Sequence, residues 1–408
     1  MSSLKIKSIK SLKNLKNKTV LVRCDFDVPL SHKNTESTKA QKHKSTIKIL
    51  DDSRLQACLP TIEYLLKKKA KIILIGHLGR PGRKVAPELS LLPIKEKLEK
   101  ILSKDLRFKN YDLRINFTNH QSPITNHQIS MLENLRFNPD EEKNDKNFAK
   151  KLAGLADIYV NEAFAVSHRS AASVDAIKNY LPSYAGLNLV NEIKNLSYVL
   201  KNPKKTLIII IGGAKIETKL PVIKNFLNKA DHILIGGAVA NDFLLAEGYK
   251  VKESLVDKDY IEEAKKILIK SKVKSQKSKL QLKTQNYKDS KIILPIDFVW
   301  GNNKILDIGK KTIREYCAII KKANTIVWNG PMGYFETKKF ANGTYEIAKA
   351  IFKSKARVII GGGDTNQILN HNTAYIIHNK KVFVSTGGGA MLEFLGGKKL
   401  PGINKLLN

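Results

Sequence analysis

Short apolar, β-branched runs recur along this chain, each ending in glycine or charge and each followed by a helix-like stretch. That alternation specifies an α/β fold with parallel sheets, because parallel strands need a crossover that a helix supplies. In the first half the runs are Thr19–Cys24, Lys71–Ile75, Ser130–Leu132 and Asp157–Val160. In the second half they are Thr206–Ile211, His232–Ile235, Thr325–Trp328, Arg357–Ile360 and Lys381–Val384. At roughly 150 residues per domain, 408 residues make two or three domains. The join is expected near Leu181–Val199, where Pro182 and Gly186 precede a connecting helix over Asn188–Leu200. The fold class expected is two doubly wound parallel-sheet domains, residues 1–186 and 187–385, joined by that hinge helix.

The two halves end their strands differently. First-half strand ends carry Asp25 and Asp27, then His77 and Arg80, then Arg136, then His168 and Arg169. Second-half ends carry Gly212-Gly213, Gly236-Gly237, Gly330, Gly361-Gly362-Gly363 and Gly387-Gly388-Gly389. In an open parallel sheet these ends share the edge where ligands bind. One half thus offers a cationic site, the other a glycine-lined one.

Composition narrows the function classes. The net charge is +35, from 72 basic and 37 acidic residues. A nucleic-acid partner would explain it, but the lysines are dispersed and form no stripe with interleaved aromatics. We expect no specific nucleic-acid partner, only weak, salt-sensitive RNA binding as a by-product. Arginine is more telling: eight of its ten positions precede residue 170, and guanidinium grips carboxylate and phosphate bidentately. Cys24, Cys58 and Cys317 are odd in number, widely spaced and free of CxxC, against a disulfide framework or zinc site. No apolar run approaches the roughly 20 residues of a membrane helix. The basic opening MSSLKIKSIKSLKNLKNK lacks an apolar signal core. No membrane partner and a cytoplasmic location are expected.

The second half is patterned for nucleotide phosphates. RVIIGGGDTNQIL and VFVSTGGGAMLEFL each run strand, glycines, helix start, an arrangement that turns bare N–H groups and a positive helix end toward an anion. Glycine lets the main chain come close to it. There is no GxxxxGK[ST] and no GxGxxG after a strand, which disfavours P-loop enzymes and dinucleotide dehydrogenases. GGAKIETKL sets Lys215 and Lys219 four apart, read as one face of a helix start; alone, a solvated lysine face explains them better. In the first half Arg54, Arg80, Arg136, Arg169 and His77 read together as a small-anion pocket, although each alone is more often a surface ion pair.

These residues carry a family resemblance. VLVRCDFDVPL, HLGRPG, LENLRF, DIYVNEAFAVSHRSAAS, IIGGAKIETKL, VWNGPMGYFE, GGGDT and STGGGAMLE occur in order over nearly the whole chain. The sequence resembles phosphoglycerate kinase. The resemblance implies reversible phosphoryl transfer between 1,3-bisphosphoglycerate and ADP, giving 3-phosphoglycerate and ATP with Mg2+, by a monomer. It implies that Asp25, Asp27, Arg54, His77, Arg80, Arg136 and Arg169 bind the substrate. Gly213, Lys215, Lys219, Gly237, Asn329, Pro331, Glu336, Gly361, Gly362, Gly363, Asp364 and Thr365 would hold the nucleotide. Arg54, Lys215, Lys219 and Gly363 would serve the transfer, Asp364 would orient magnesium, and residues 386–408 would return to the first domain as part of the hinge.

Four departures stand out. Asp27 replaces the family's asparagine. The loop after Pro29 is longer by roughly a dozen residues, and Ser31–Ser45 is polar enough to expect a mobile loop. Gly76 replaces serine, which reads as a mild change. Ile305 replaces a glycine near the adenine. Asp27, the long loop and Ile305 support a second reading, a catalytically impaired relative that binds nucleotide; the retained Arg54, Lys215, Lys219, Asp364 and Glu336 favour the active kinase.

Overall fold

The computed structural model describes residues 5–33, 46–109, 111, 113–118, 127–272, 290–363, 365, 368 and 381–407. The chain divides into two compact units, Met1–Lys194 with Lys399–Asn408, and Asn195–Lys398.

In the first unit the strands are β1 (Thr19–Arg23), β2 (Leu30–Lys33), β3 (Thr46–Ile49), β4 (Lys71–Ile75), β5 (Ile115–Thr118), β6 (Ile129–Leu132), β7 (Ile158–Asn161) and β8 (Ser183–Ala185). Six form one sheet in the order β5-β6-β4-β1-β7-β8, all parallel. β1 pairs Val22 with Leu74 on one side and with Val160 on the other. The chain therefore leaves β1 in both directions, and a crevice opens at such a switch point. Helices cover both faces, so β6 and β7 are buried at every position and read as apolar runs rather than alternations.

The second unit repeats the plan with β9 (Leu207–Ile211), β10 (His232–Ile235), β11 (Ile292–Ile293), β14 (Thr325–Asn329), β15 (Arg357–Ile360) and β16 (Val382–Val384), in the order β11-β10-β9-β14-β15-β16. An antiparallel pair, β12 (Phe298–Gly301) and β13 (Lys304–Ile308), stands beside it. All nine strands expected from the sequence are present, with ends shifted by a residue at most. Ser31–Ser45 departs from expectation: its first residues belong to β2, which pairs antiparallel with β3 through Leu30↔Ile49 and His32↔Ile47. Residues 34–45, and most of the polar stretch 270–289, lie outside the described residues.

The helix Leu187–Lys201 begins on a buried cap. Glu162, one residue past β7, accepts the Thr61 hydroxyl at 2.6 Å and the Asn188 N–H at 3.0 Å. Thr61 Oγ1 accepts the Leu187 N–H at 2.8 Å. Two side chains thus satisfy donors that a helix start leaves open. Burial pushes the Glu162 carboxyl up to about 8, against the pull of those donors. The folded state then keeps a proton that the unfolded chain gives up near 4.5. This contribution is fully present below that value and is lost as pH rises toward 8. Relative to Glu162→Gln, the native protein should lose several kcal/mol across this window. Urea unfolding of both proteins at the two ends of the window checks it; parallel stabilities would sink the idea.

Candidate active site

In the first unit the carboxyl ends of β1, β4 and β6 bring the expected cationic residues together. Arg54 sits at the second position of the helix Ser53–Lys67. A cation there opposes the helix dipole, and two acceptors offset it: Arg54 Nη1 lies 3.2 Å from Asp25 Oδ1 and 2.8 Å from the Asp27 carbonyl. Asp25 is buried, which raises its carboxyl, while Arg54 lowers it. Arg136 is buried and donates from Nη1 to the Gly79 carbonyl at 2.6 Å. Its Nε lies 3.4 Å from Glu142. Arg80 and Arg169 are exposed; the charge of Arg169 still reaches His77 and Arg136.

His77 is held well below the ordinary imidazole value, first by burial, then by the charges of Arg23, Arg136, Arg169 and Arg54. It therefore adds a polar group to the pocket and no charge. Asp27 Oδ1 accepts the Gly79 N–H at 2.9 Å, and Oδ2 lies 3.8 Å from His77 Nε2. Asp27 thus has a structural partner of its own while placing a carboxylate among the arginines. Gly76 is not a neutral exchange for serine here: a Cβ would stand 2.2 Å from the buried Phe26 ring.

Sequence reasoning did not assign Arg23. It closes the apolar run of β1 and is only 2% exposed. An arginine ending a buried strand, two residues before a carboxylate, was the available signal.

In the second unit the glycine ends of β9, β10 and β14 pack main chain on main chain. Gly212 N–H donates to the Asn329 carbonyl, Gly213 N–H to Pro331 and Gly237 N–H to Met332, all at 2.8–2.9 Å. Asn329 ties this edge to β15 through Nδ2 to the Gly361 carbonyl. Thr365 Oγ1 accepts the Gly330 N–H at 2.8 Å. Lys219 Nζ donates to Asn329 Oδ1. Lys215 is exposed, and the helix-face reading of the pair needs correction. The helix starts only at Leu220, with Pro221 in its first turn. Lys219 stands at its N-cap and Lys215 in the connection before it, since proline favours a helix start. Gly363 opens a helical segment, and a Cβ on it would meet nothing within 4 Å. Asp364 lies outside the described residues.

Beside this edge lies a cavity of about 210 Å3, lined by Gly213, Gly237, Ile305, Pro331, Tyr334 and Glu336 among others. It is walled largely by apolar groups with a carboxylate at its rim, as a heteroaromatic base with an attached sugar requires.

Known proteins decide the family. The family model described as phosphoglycerate kinase matches residues 9–398. The phosphoglycerate kinase of Borrelia garinii is 39% identical, covering 99% of this chain and all of its own. That of Finegoldia magna is 41% identical over 95% of this chain and 96% of its own. This chain belongs to the phosphoglycerate kinase family. The solved structure of phosphoglycerate kinase from Coxiella burnetii, 34% identical, superposes with a TM-score of 0.79 over 98% of this chain and 99% of its own. That from Pyrococcus horikoshii reaches 0.77 at 30% identity, over 98% of both. Against the phosphoglycerate kinase pattern, Asp27 and Ile305 now have places: one in the arginine pocket, the other in the wall of the cavity.

Proposed function

We propose that this protein transfers a phosphoryl group between 1,3-bisphosphoglycerate and ADP, giving 3-phosphoglycerate and ATP. The observation that carries this reading is the gathering of Arg54 on Asp25, of His77 beside Asp27, and of Arg136 on the Gly79 carbonyl, at one sheet edge. Family membership supports it. Arg136, with Arg80 and Arg169, takes the substrate phosphate, and His77 donates to the same anion. Arg54 and Asp25 face the reacting carboxyl end. Gly361–Gly363, Lys215 and Lys219 take the nucleotide phosphates, and the cavity bearing Glu336 takes the nucleoside.

The chemistry asks little else of the protein. Phosphoryl transfer depends on positioning and on neutralising charge on the moving group, and it needs no protein nucleophile. Magnesium carried on the nucleotide phosphates would offset part of their charge; such an ion needs no all-protein cage, and Asp364 is the residue expected to orient it. A cytoplasmic setting is supported by three unpaired thiols, Cys24, Cys58 and Cys317.

Binding tests the reading in two parts. Calorimetric titration should show one site for 3-phosphoglycerate that Arg136→Ala weakens, and one for magnesium ATP that Lys219→Ala weakens. Failure of 3-phosphoglycerate to bind the native protein would refute the substrate assignment. Asp27→Asn should lower the KM for 3-phosphoglycerate roughly fivefold. It removes one charge from an arginine pocket that receives an anion, and the asparagine oxygen keeps the Gly79 hydrogen bond. An unchanged or higher KM in steady-state assays would show that Asp27 does not oppose the substrate.

A further inference from the structure

Arg23 is the most buried cation of the arginine cluster, and every hydrogen bond it makes has a direction. Its Nε donates to Ser173 Oγ at 2.9 Å and its Nη1 to the Cys24 carbonyl at 2.5 Å. Its Nη2 lies 2.9 Å from His77 Nδ1. Behind it, Ser173 Oγ donates to Glu141 Oε1 at 2.6 Å, and Glu141 Oε2 accepts the Ser173 N–H at 3.0 Å. A guanidinium has only donors and keeps its proton in proteins. His77 Nδ1 must therefore accept, so it carries no hydrogen, and the imidazole proton sits on Nε2. An imidazolium would set a second donor against Nη2 at 2.9 Å.

We propose that Arg23, held by Ser173 and Glu141, is a positioning residue that fixes His77 as the neutral Nε2–H tautomer, so that His77 meets the substrate anion as a hydrogen-bond donor and neither as a cation nor as a base. The charged groups facing His77 agree: Arg23 from the end of β1, Arg54 from the helix Ser53–Lys67, Arg136 from the helical turn Leu135–Phe137 and Arg169 from the loop after β7, with the Asp27 carboxylate opposite. The four cations disfavour a further positive charge on the ring. Nε2 is the nitrogen toward Asp27, the residue beside which the substrate is read to bind. The substrate role rests on the function proposed above; the tautomer does not.

The test is nitrogen NMR of the full chain with labelled histidine, the His77 signals assigned through His77→Gln. Between about pH 5 and 8, where an ordinary histidine titrates, His77 should show the Nε2–H pattern and no titration. An Nδ1–H pattern, or conversion to imidazolium in that range, would overturn the assignment with the native protein alone. The Ser173→Ala variant supplies the positioning arm. It should mix the tautomers or restore titration, and raise the KM for 3-phosphoglycerate about tenfold with kcat nearly kept. A perturbed tautomer with an unmoved KM would overturn the positioning role. An Nε2–H ring in a protein that binds no 3-phosphoglycerate would count against the substrate reading and leave the tautomer standing.

Discussion

Arg54→Ala will lower kcat about a thousandfold, the loss typical of a charge aimed at a transferring phosphoryl group. The KM for ATP should stay within about twofold, because Arg54 is assigned to the phosphoryl group in transfer and not to the bound nucleotide's ground state. The tether of this side chain is the reason. Arg54 is half-buried, and its hydrogen bonds to Asp25 and Asp27 among the described residues run from Nη1 alone. One end of the fork is thus oriented while the rest of the guanidinium remains for a ligand. The guanidinium also holds down the carboxyl of buried Asp25; without it Asp25 moves further toward the neutral acid. Arg54→Lys should recover only part of the loss, since a point charge replaces a planar fork. Steady-state kinetics in both substrates checks this, and equal losses of kcat in a variant remote from the pocket, such as Lys349→Ala, would void it.

Gly330→Ala should cost about 4 kcal/mol of stability, near the upper range for single substitutions. Gly330 follows β14 with φ +89°, and an added Cβ would stand 2.3 Å from the Gly212 carbonyl oxygen and 2.5 Å from its carbon. Those are main-chain atoms fixed by the β9–β14 ladder, so no side-chain rotation relieves the contact. The strand-end edge beside the cavity that Glu336 lines would have to open. Gly248→Ala is the control in the same unit: φ is +91°, but nothing lies within 4 Å of the new Cβ. It should lose only the backbone term, about 1 kcal/mol. Denaturant unfolding followed by fluorescence of Trp328, buried in the same unit, separates the two. Equal losses would mean that the strand ends yield more than their packing indicates.

The sequence was most legible where hydrophobic burial alone decides structure. β9, Leu-Ile-Ile-Ile-Ile, is buried along its whole length and has no other plausible place than a covered parallel sheet. The cationic edge came with it, because Arg54, His77 and Arg136 stand close to strands that could be found. The β2–β3 hairpin escaped because its residues are largely polar and its pairing partners are fixed by tertiary context. Lys215 and Lys219 were misplaced because spacing by four is a helix signal only after the helix has begun, and Pro221 sets that point later. Arg23 escaped for a different reason. Composition counts arginines but cannot rank them by burial, and its partners Ser173 and His77 lie 150 and 54 residues away in sequence.

The most direct measurement is turnover by the purified chain with 3-phosphoglycerate and magnesium ATP, coupled to NADH oxidation, with Arg54→Ala beside it. Phosphoryl transfer by the native protein, lost in the variant, is the predicted result. A folded protein that binds ATP and transfers nothing would contradict it, and would leave a nucleotide-binding relative whose Asp27 and Ile305 mark the loss.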